Sequence, residues 1–186
     1  MSFLEVIEKY GYPVVSKEVS RNIHEAKTTK SDYLRNIRLY GDSKGNGKIA
    51  EKWKFLLNAP FDVSNYCCTI MKKLPAKSYC KKYKLKPIIG TMAQDSRLRK
   101  TSYLAHGCNT FSSDYPTSTP LAFWLEQDVW EYIKQFNVTY SKIYDMGYER
   151  TGCMWCMFGV HMEKEPNRFQ LMQDTHPQIY DYCINK

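Results

Sequence analysis

Two pairs of cysteines carry the chemistry of this 186-residue chain. Cys67 and Cys68 are adjacent, in the run Tyr66-Cys67-Cys68-Thr69-Ile70-Met71-Lys72-Lys73-Leu74-Pro75. Cys153 and Cys156 flank Met154-Trp155, just after Arg150-Thr151-Gly152. Four thiols in two tight pairs, far apart in sequence, can converge on one metal centre. A C-x-x-C pair suits zinc, an iron–sulfur cluster or a redox disulfide. A thioredoxin-type motif lies early in its domain in a βα context, and this pair lies late. Zinc sites favour pairs separated by roughly two to four residues. Adjacent cysteines are awkward there, because neighbouring side chains diverge in extended backbone. A cubane cluster tolerates adjacency better, since the two thiolates can bind different irons. The spacing therefore favours a cluster, with zinc as the alternative and redox or plain core cysteines as the remaining readings. Cys80, Cys108 and Cys183 read as isolated buried thiols.

The second chemical signal is positive charge. The chain carries 27 Lys+Arg against 19 Asp+Glu, a net charge of +8. Such an excess favours an anionic partner, such as nucleic acid or a nucleotide, with a Lys-rich solvated surface as the equally plain reading. Arg97, Arg99 and Lys100 follow Asp95-Ser96 at what reads as a strand-to-helix junction, where side-chain cations and free helix N–H groups could grip a phosphate or sulfate. A solvated basic helix face is the plainer reading of the same residues. The Gly-rich run Gly41-Asp42-Ser43-Lys44-Gly45-Asn46-Gly47-Lys48 does not match a phosphate loop. That motif needs glycine at position 42 and a hydroxyl residue at 49, where Asp42 and Ile49 stand. It reads as a surface loop.

The elements that must position these groups are mostly helical. Ser2 and Glu5 form a capping-box pattern ahead of Phe3, Val6, Ile7 and Tyr10, and Gly11 with Pro13 stops that helix. After an extended Val14–Glu18, Ser16 or Ser20 caps a helix through Ile23 to Ala26. Further helices are expected over Ser31–Tyr40, Ile49–Leu57 and, broken near Pro75, Met71–Tyr83. Lys86-Pro87-Ile88-Ile89-Gly90-Thr91 reads as a buried strand. Gly107–Thr119 is turn-rich. Thr119-Pro120-Leu121 introduces a helix whose Phe123, Trp124, Val129, Trp130, Ile133 and Phe136 face a core, ending at Asn137. Val138-Thr139-Tyr140 is extended, and Asn167–Cys183 forms a helical cover.

Composition sets the frame. Hydrophobic residues make up 43% and charged residues 25%, which excludes a disordered chain. No run of about 18 apolar residues exists, so no membrane span is expected. The N-terminus lacks a signal-peptide pattern, which points to the cytoplasm. Without internal repeats or a low-complexity linker, residues 1–186 read as a single domain.

Four motifs in order carry a family resemblance. They are Cys67-Cys68-x-x-Met71-Lys72-Lys73-x-Pro75; Ile88-Ile89-Gly90-Thr91-x-Ala93-x-Asp95-Ser96-x-x-Arg99; Pro120-x-x-x-Trp124-x-x-x-Asp128-Val129-Trp130-x-Tyr132-Ile133; and Tyr144-Asp145-x-Gly147-x-x-Arg150-x-Gly152-Cys153-x-x-Cys156. Together they resemble the phosphoadenosine/adenosine phosphosulfate (PAPS/APS) reductase family, in its phage and bacterial form, across most of residues 1–183. The resemblance implies an α/β, helix-rich domain of the adenine-nucleotide α-hydrolase type. It implies that Cys67, Cys68, Cys153 and Cys156 ligate one [4Fe–4S] cluster. It also makes Lys17, Arg97, Arg99, Lys100 and Arg150 the candidate contacts to an anionic substrate.

The departures from that family define the functional expectation. The family's S-G-G-K-D-S pyrophosphate loop is not found in this sequence, Met92 stands where an arginine is common, and the reductases' Glu-Cys-Gly-Leu-His tail has no counterpart at Cys183. Without the loop no backbone nest holds the nucleotide phosphates. Without the tail cysteine no nucleophile attacks sulfur. The expectation is a truncated reductase-like iron–sulfur protein that is not a complete reductase by itself, with a partner chain supplying the missing nucleotide-binding half. The alternative is a non-enzymatic binding protein, such as a phage inhibitor, that uses the basic surface against nucleic acid or a nucleoprotein.

Overall fold

The computed structural model describes residues 1–185, and the chain is helix-rich. It divides into two compact units, Met1–Pro75 joined by the chain from Ile143 onward, and Ala76–Lys142.

The first unit opens with helix α1 (Phe3–Tyr10). The Glu5 N–H donates to Ser2 Oγ at 3.3 Å, and the Ser2 N–H donates to Glu5 Oε2 at 2.6 Å. This reciprocal pair satisfies two helix-end donors that would otherwise lack partners. Gly11 ends α1 at φ +97°, and a Cβ there would lie 2.9 Å from the Asp62 backbone. That close approach lets Tyr12 donate to the Asp62 carbonyl at 2.7 Å, forming a one-residue parallel bridge with Val63.

Helix α2 (Lys17–Thr28) is capped by Ser16, whose Oγ accepts from the Val19 N–H at 3.1 Å. Helix α3 (Asp32–Tyr40) is capped by Ser31 in the same way. Arg38 of α3 ties the pair together, donating to Glu25 of α2 at 2.6 Å and to the Gly47 carbonyl at 3.1 Å. The Gly-rich loop is closed internally: the Asp42 carboxylate accepts from the Asn46 and Lys44 N–H groups at 2.8 and 2.9 Å.

The segment expected as α-helix over Ile49–Leu57 is a 3-10 helix at Glu51–Asn58. Its start, Ala50, offers no side-chain cap, and the tighter winding stacks residues three apart, which sets Trp53 and Leu56 along the same side. Ile23, Ala26, Ile49, Leu56 and Val63 form the core, with Val14, Val15, Val19, Trp53 and Leu57 packed against it.

Next come α4 (Tyr66–Cys68), a π-turn over Thr69–Lys73, and α5 (Leu74–Lys82). The expected break near Pro75 is this π-turn. Proline has no N–H, and its ring crowds the carbonyl four residues back; a wider turn just before it relieves both problems. In the C-terminal stretch, the expected cover forms as two helices, α8 (Arg168–Thr175) and α9 (Pro177–Asn185). Pro177 explains the division: it suits a first helical position and pushes His176, at φ −143°, out of the helical region.

The second unit contains α6 (Arg97–His106) and α7 (Glu126–Phe136). Helix α7 begins later than Thr119–Leu121 suggested, because residues 120–123 form a turn and the Asp128 carboxylate accepts from the Leu125 N–H at 2.7 Å. Asn137 ends it in the left-handed region, φ +48°. Its aromatic side chains pair with one another, Tyr132 with Phe136 at 4.5 Å and with Trp124 at 5.7 Å, but Phe123 and Phe136 are exposed, not core. The stretch expected as a buried strand, Lys86–Thr91, makes only a one-residue parallel bridge at Ile88, and Ile88 is 77% exposed. Ala122 is the unit's one buried apolar residue among the described residues.

Candidate metal centre

The Cys67–Cys68 pair sits where three elements of the first unit meet. The residue before it, Tyr66, donates its N–H to the buried Ser64 hydroxyl at 3.3 Å. Its ring packs against Tyr10 of α1 at 5.9 Å and edge-on to His24 of α2 at 5.1 Å. Cys67 is thereby buried and Cys68 half-buried, and both are free thiols.

The two sulfurs are hydrogen-bonded, and their titrations separate. The bond to Cys68, burial and the charges of Cys68 and Cys156 all push the Cys67 thiol far up. Cys68 moves the other way, down to about 6. The hydrogen bond from Cys67 is the main cause; burial opposes it, and the charges of Lys17, Lys72 and Lys73 act in the same downward direction. The environment therefore favours the charged form at Cys68 over Cys67. Cationic surroundings of this kind are what stabilise a thiolate for metal ligation or nucleophilic chemistry.

The second pair lies in a turn closed by Cys156 N–H donating to the Cys153 carbonyl at 3.0 Å. The Trp155 ring fixes this turn, packing against Phe3 of α1 at 5.3 Å and Tyr182 of α9 at 6.4 Å. Its Nε1 is buried and has no hydrogen-bond partner among the described residues. The other anchor is Arg168 at the start of α8. Its guanidinium donates to the carbonyls of Cys156 at 3.3 Å and Phe158 at 2.9 Å, and is ion-paired with Glu163. The Glu163 carboxylate also accepts from the Arg168 N–H at 3.0 Å. Burial would raise the Glu163 carboxyl, but the Arg168 hydrogen bonds and charge hold it below its ordinary value.

All four expected ligands therefore lie in one unit, and Cys156 is near enough to Cys67 to act on its ionisation. They are not gathered at ligand distances: among the described residues no three His, Cys, Asp or Glu side chains group so as to hold a metal ion.

The expected anion contacts divide between the units. Lys17, the first residue of α2, lies within electrostatic reach of Cys68. Arg150 is 72% exposed, with its guanidinium 3.5 Å from Glu163. Arg97, Arg99 and Lys100 occupy the first turn of α6, where Ser96 Oγ accepts from the Arg99 N–H at 3.3 Å. Arg99 is ion-paired with Asp95, whose carboxylate also accepts from the Met92 N–H at 3.0 Å.

Sequence reasoning missed Lys72, Lys73, Arg168 and Glu163. The two lysines were visible as the fourth and fifth residues after Cys68 on one helical stretch. Nothing in the sequence pointed to the Arg168–Glu163 clamp, which depends on how the chain returns to Cys156.

The comparisons with known proteins bear on the family of the chain. The phosphoadenosine phosphosulfate reductase domain matches residues 14–158. An uncharacterized protein of Methanocaldococcus jannaschii is 27% identical over 143 residues, covering 72% of this chain and 32% of that protein. The adenosine 5'-phosphosulfate reductase of Bacillus cytotoxicus is 30% identical over 96 residues, covering 52% of this chain and 40% of the enzyme. That of Oceanobacillus iheyensis is 49% identical over 37 residues, or 20% of this chain and 15% of the enzyme. The chain thus spans well under half the length of these relatives. No solved structure matches it. With the family match running from the start of the buried core through the second cysteine pair, the chain belongs to the phosphoadenosine phosphosulfate reductase domain family.

Proposed function

We propose that this chain is an iron–sulfur protein whose cluster is held by Cys67, Cys68, Cys153 and Cys156, with a basic surface for an anionic, adenylated or nucleic-acid ligand. The observation that carries this reading is the thiol pair on α4 with Lys17, Lys72 and Lys73 around it and Cys156 close by. The donor set fits a [4Fe–4S] group. Thiolates are its usual ligands, and nearby cations offset the negative charge that four of them accumulate. The cluster would supply a redox-active, polarising centre; zinc on the same residues would supply only a structural clamp.

The protein's own residues have separable tasks. Arg168 and Glu163 hold the Cys153–Cys156 turn, and Trp155 locks it between α1 and α9. Lys17 and Arg150 are the cations of the first unit that would meet an anionic ligand. In the second unit, Arg97 and Lys100 make a separate basic turn on α6, with Arg99 ion-paired with Asp95. Phosphosulfate reduction would need a pyrophosphate-binding loop that residues 1–186 do not contain. The test is iron and sulfide analysis of anaerobically purified protein, together with its visible spectrum. A brown protein with about four irons per chain is expected. A colourless protein containing one zinc would sink the cluster reading.

A further inference from the structure

Positive charge in the second unit is gathered on one stretch of chain. Residues 76–113 hold eight lysines and arginines against a single acid, Asp95. That acid is already ion-paired with Arg99. Five of the cations, Lys77, Lys81, Lys82, Lys84 and Lys86, lie on α5 and the turn that ends it. All five are exposed, and none is ion-paired among the described residues. The helix closes where the Leu85 N–H donates to the Cys80 carbonyl at 2.9 Å. This closure holds Lys84 at φ +54°, a conformation that glycine adopts without strain. One or two lysines would serve the negative end of the helix. Five with no acid among them repel one another, which an anionic partner would relieve.

Aromatic rings lie among these charges. Tyr79 and Tyr83 pack ring to ring at 4.6 Å, yet they are 58% and 51% exposed. Tyr79, Lys82 and Tyr83 are spaced three and four residues apart, so they share one helix face. The Lys82 ammonium stands 5.1 Å from the centre of the Tyr83 ring. Lys77 stands in the same relation to Tyr115, at 5.4 Å.

The lysines alone would suit any polyanion, and the rings narrow the choice. The negative face of a ring gives a carboxylate nothing to bind. It stacks on a nucleobase of any identity. The spacing of Lys82 and Tyr83 is similar to that of a phosphate and the base of its own nucleotide. In a duplex the bases are stacked on one another, so open rings call for a single strand. We propose that this face of α5 binds single-stranded nucleic acid, with the lysines on phosphates and Tyr79 and Tyr83 against bases. This second anion site uses neither Lys17 nor Arg150, and it does not depend on the cysteines holding a metal.

The test is fluorescence anisotropy of a labelled oligothymidylate of about twelve nucleotides, titrated with the full-length chain over a series of salt concentrations. Affinity should fall with salt, by a log–log slope of about −0.7 for each phosphate contacted. Lys81→Ala with Lys82→Ala should flatten that slope by about 1.4. Tyr79→Ala with Tyr83→Ala should weaken binding about tenfold or more and leave the slope unchanged. An abasic phosphodiester chain of the same length should bind the parent about tenfold more weakly, and should not distinguish the parent from the tyrosine variant. The four substituted residues are exposed, and the abasic comparison on the parent needs no variant at all. No binding, or equal affinity for the abasic chain or for a duplex, would overturn the proposal. Polyglutamate competing as well as the oligonucleotide would make an acidic protein the partner and overturn it. Binding lost in Lys17→Ala with Arg150→Ala but kept in the α5 variants would move the nucleic acid to the first unit, and would overturn it too.

Discussion

The two units bury their apolar residues very differently. The first contains every buried apolar side chain described except Ala122, and both cysteine pairs belong to it. The second carries Ile88, Leu98, Leu104 and Phe111 at more than 70% exposure and holds its helices by caps, turns and ring pairs. Fixed ligands demand a rigid support, because a thiolate displaced by an ångström is no longer a ligand. The contrast therefore favours the first unit as the place for the proposed metal chemistry.

The largest effect expected is on the metal. Cys156→Ser should remove bound iron and sulfide altogether, while Cys108→Ser in the second unit should leave the iron content unchanged. Retention of iron by the first variant would break the assignment of chemistry to the first unit. The next contrast is in stability. Ile23, fully buried, should cost about 2–5 kcal/mol when cut to alanine. Leu98, 83% exposed, should change urea stability by no more than about 0.5 kcal/mol. Similar losses at both sites would mean that the second unit has a core of its own.

A smaller effect tests the clamp on the second cysteine pair. Arg168→Ala strips Glu163 of the closer of its two ion pairs and two carbonyls of their donor, and should cost about 2 kcal/mol. The pH dependence has a definite sign. The Glu163 carboxyl is held below its ordinary 4.5, so its stabilisation is complete above that value and fades as pH falls through the lower folded value. The gap between the parent and Glu163→Gln in urea titrations should close in acid, not in base. The smallest effect, about 1 kcal/mol, is expected for Ser2→Ala, which removes the α1 cap.

Local features were the most legible. Ser2 with Glu5, Ser16, Ser31, Gly11 and Asn137 mark helix ends as their chemistry requires, because a cap is decided within a few residues. Burial was less legible, since it depends on what lies opposite. Ile88-Ile89 has the composition of an interior strand yet no strand covers it, and the α7 aromatics face outward for the same reason. At the candidate site the thiol pairs stand out in the sequence, whereas the reach of Lys17 to Cys68 depends on the placement of α2. Its supports were not, because Arg168 reaches Cys156 and Phe158 only after the chain turns back through Glu163.

The π-turn at Thr69–Lys73 has a consequence for helical phase. In an α-helix the residue four places on lies over its predecessor, and the fifth is carried around to another face. A turn that closes five residues on, as Leu74 N–H to Thr69 O does here, sets the fourth and fifth residues on either side of the first. Lys72 and Lys73 stand in that relation to Cys68, and both lysines act on its charge. Pro75, by forbidding the tighter winding, acts as a register key: one imino acid in the next turn of helix determines that two cations, not one, attend the thiolate.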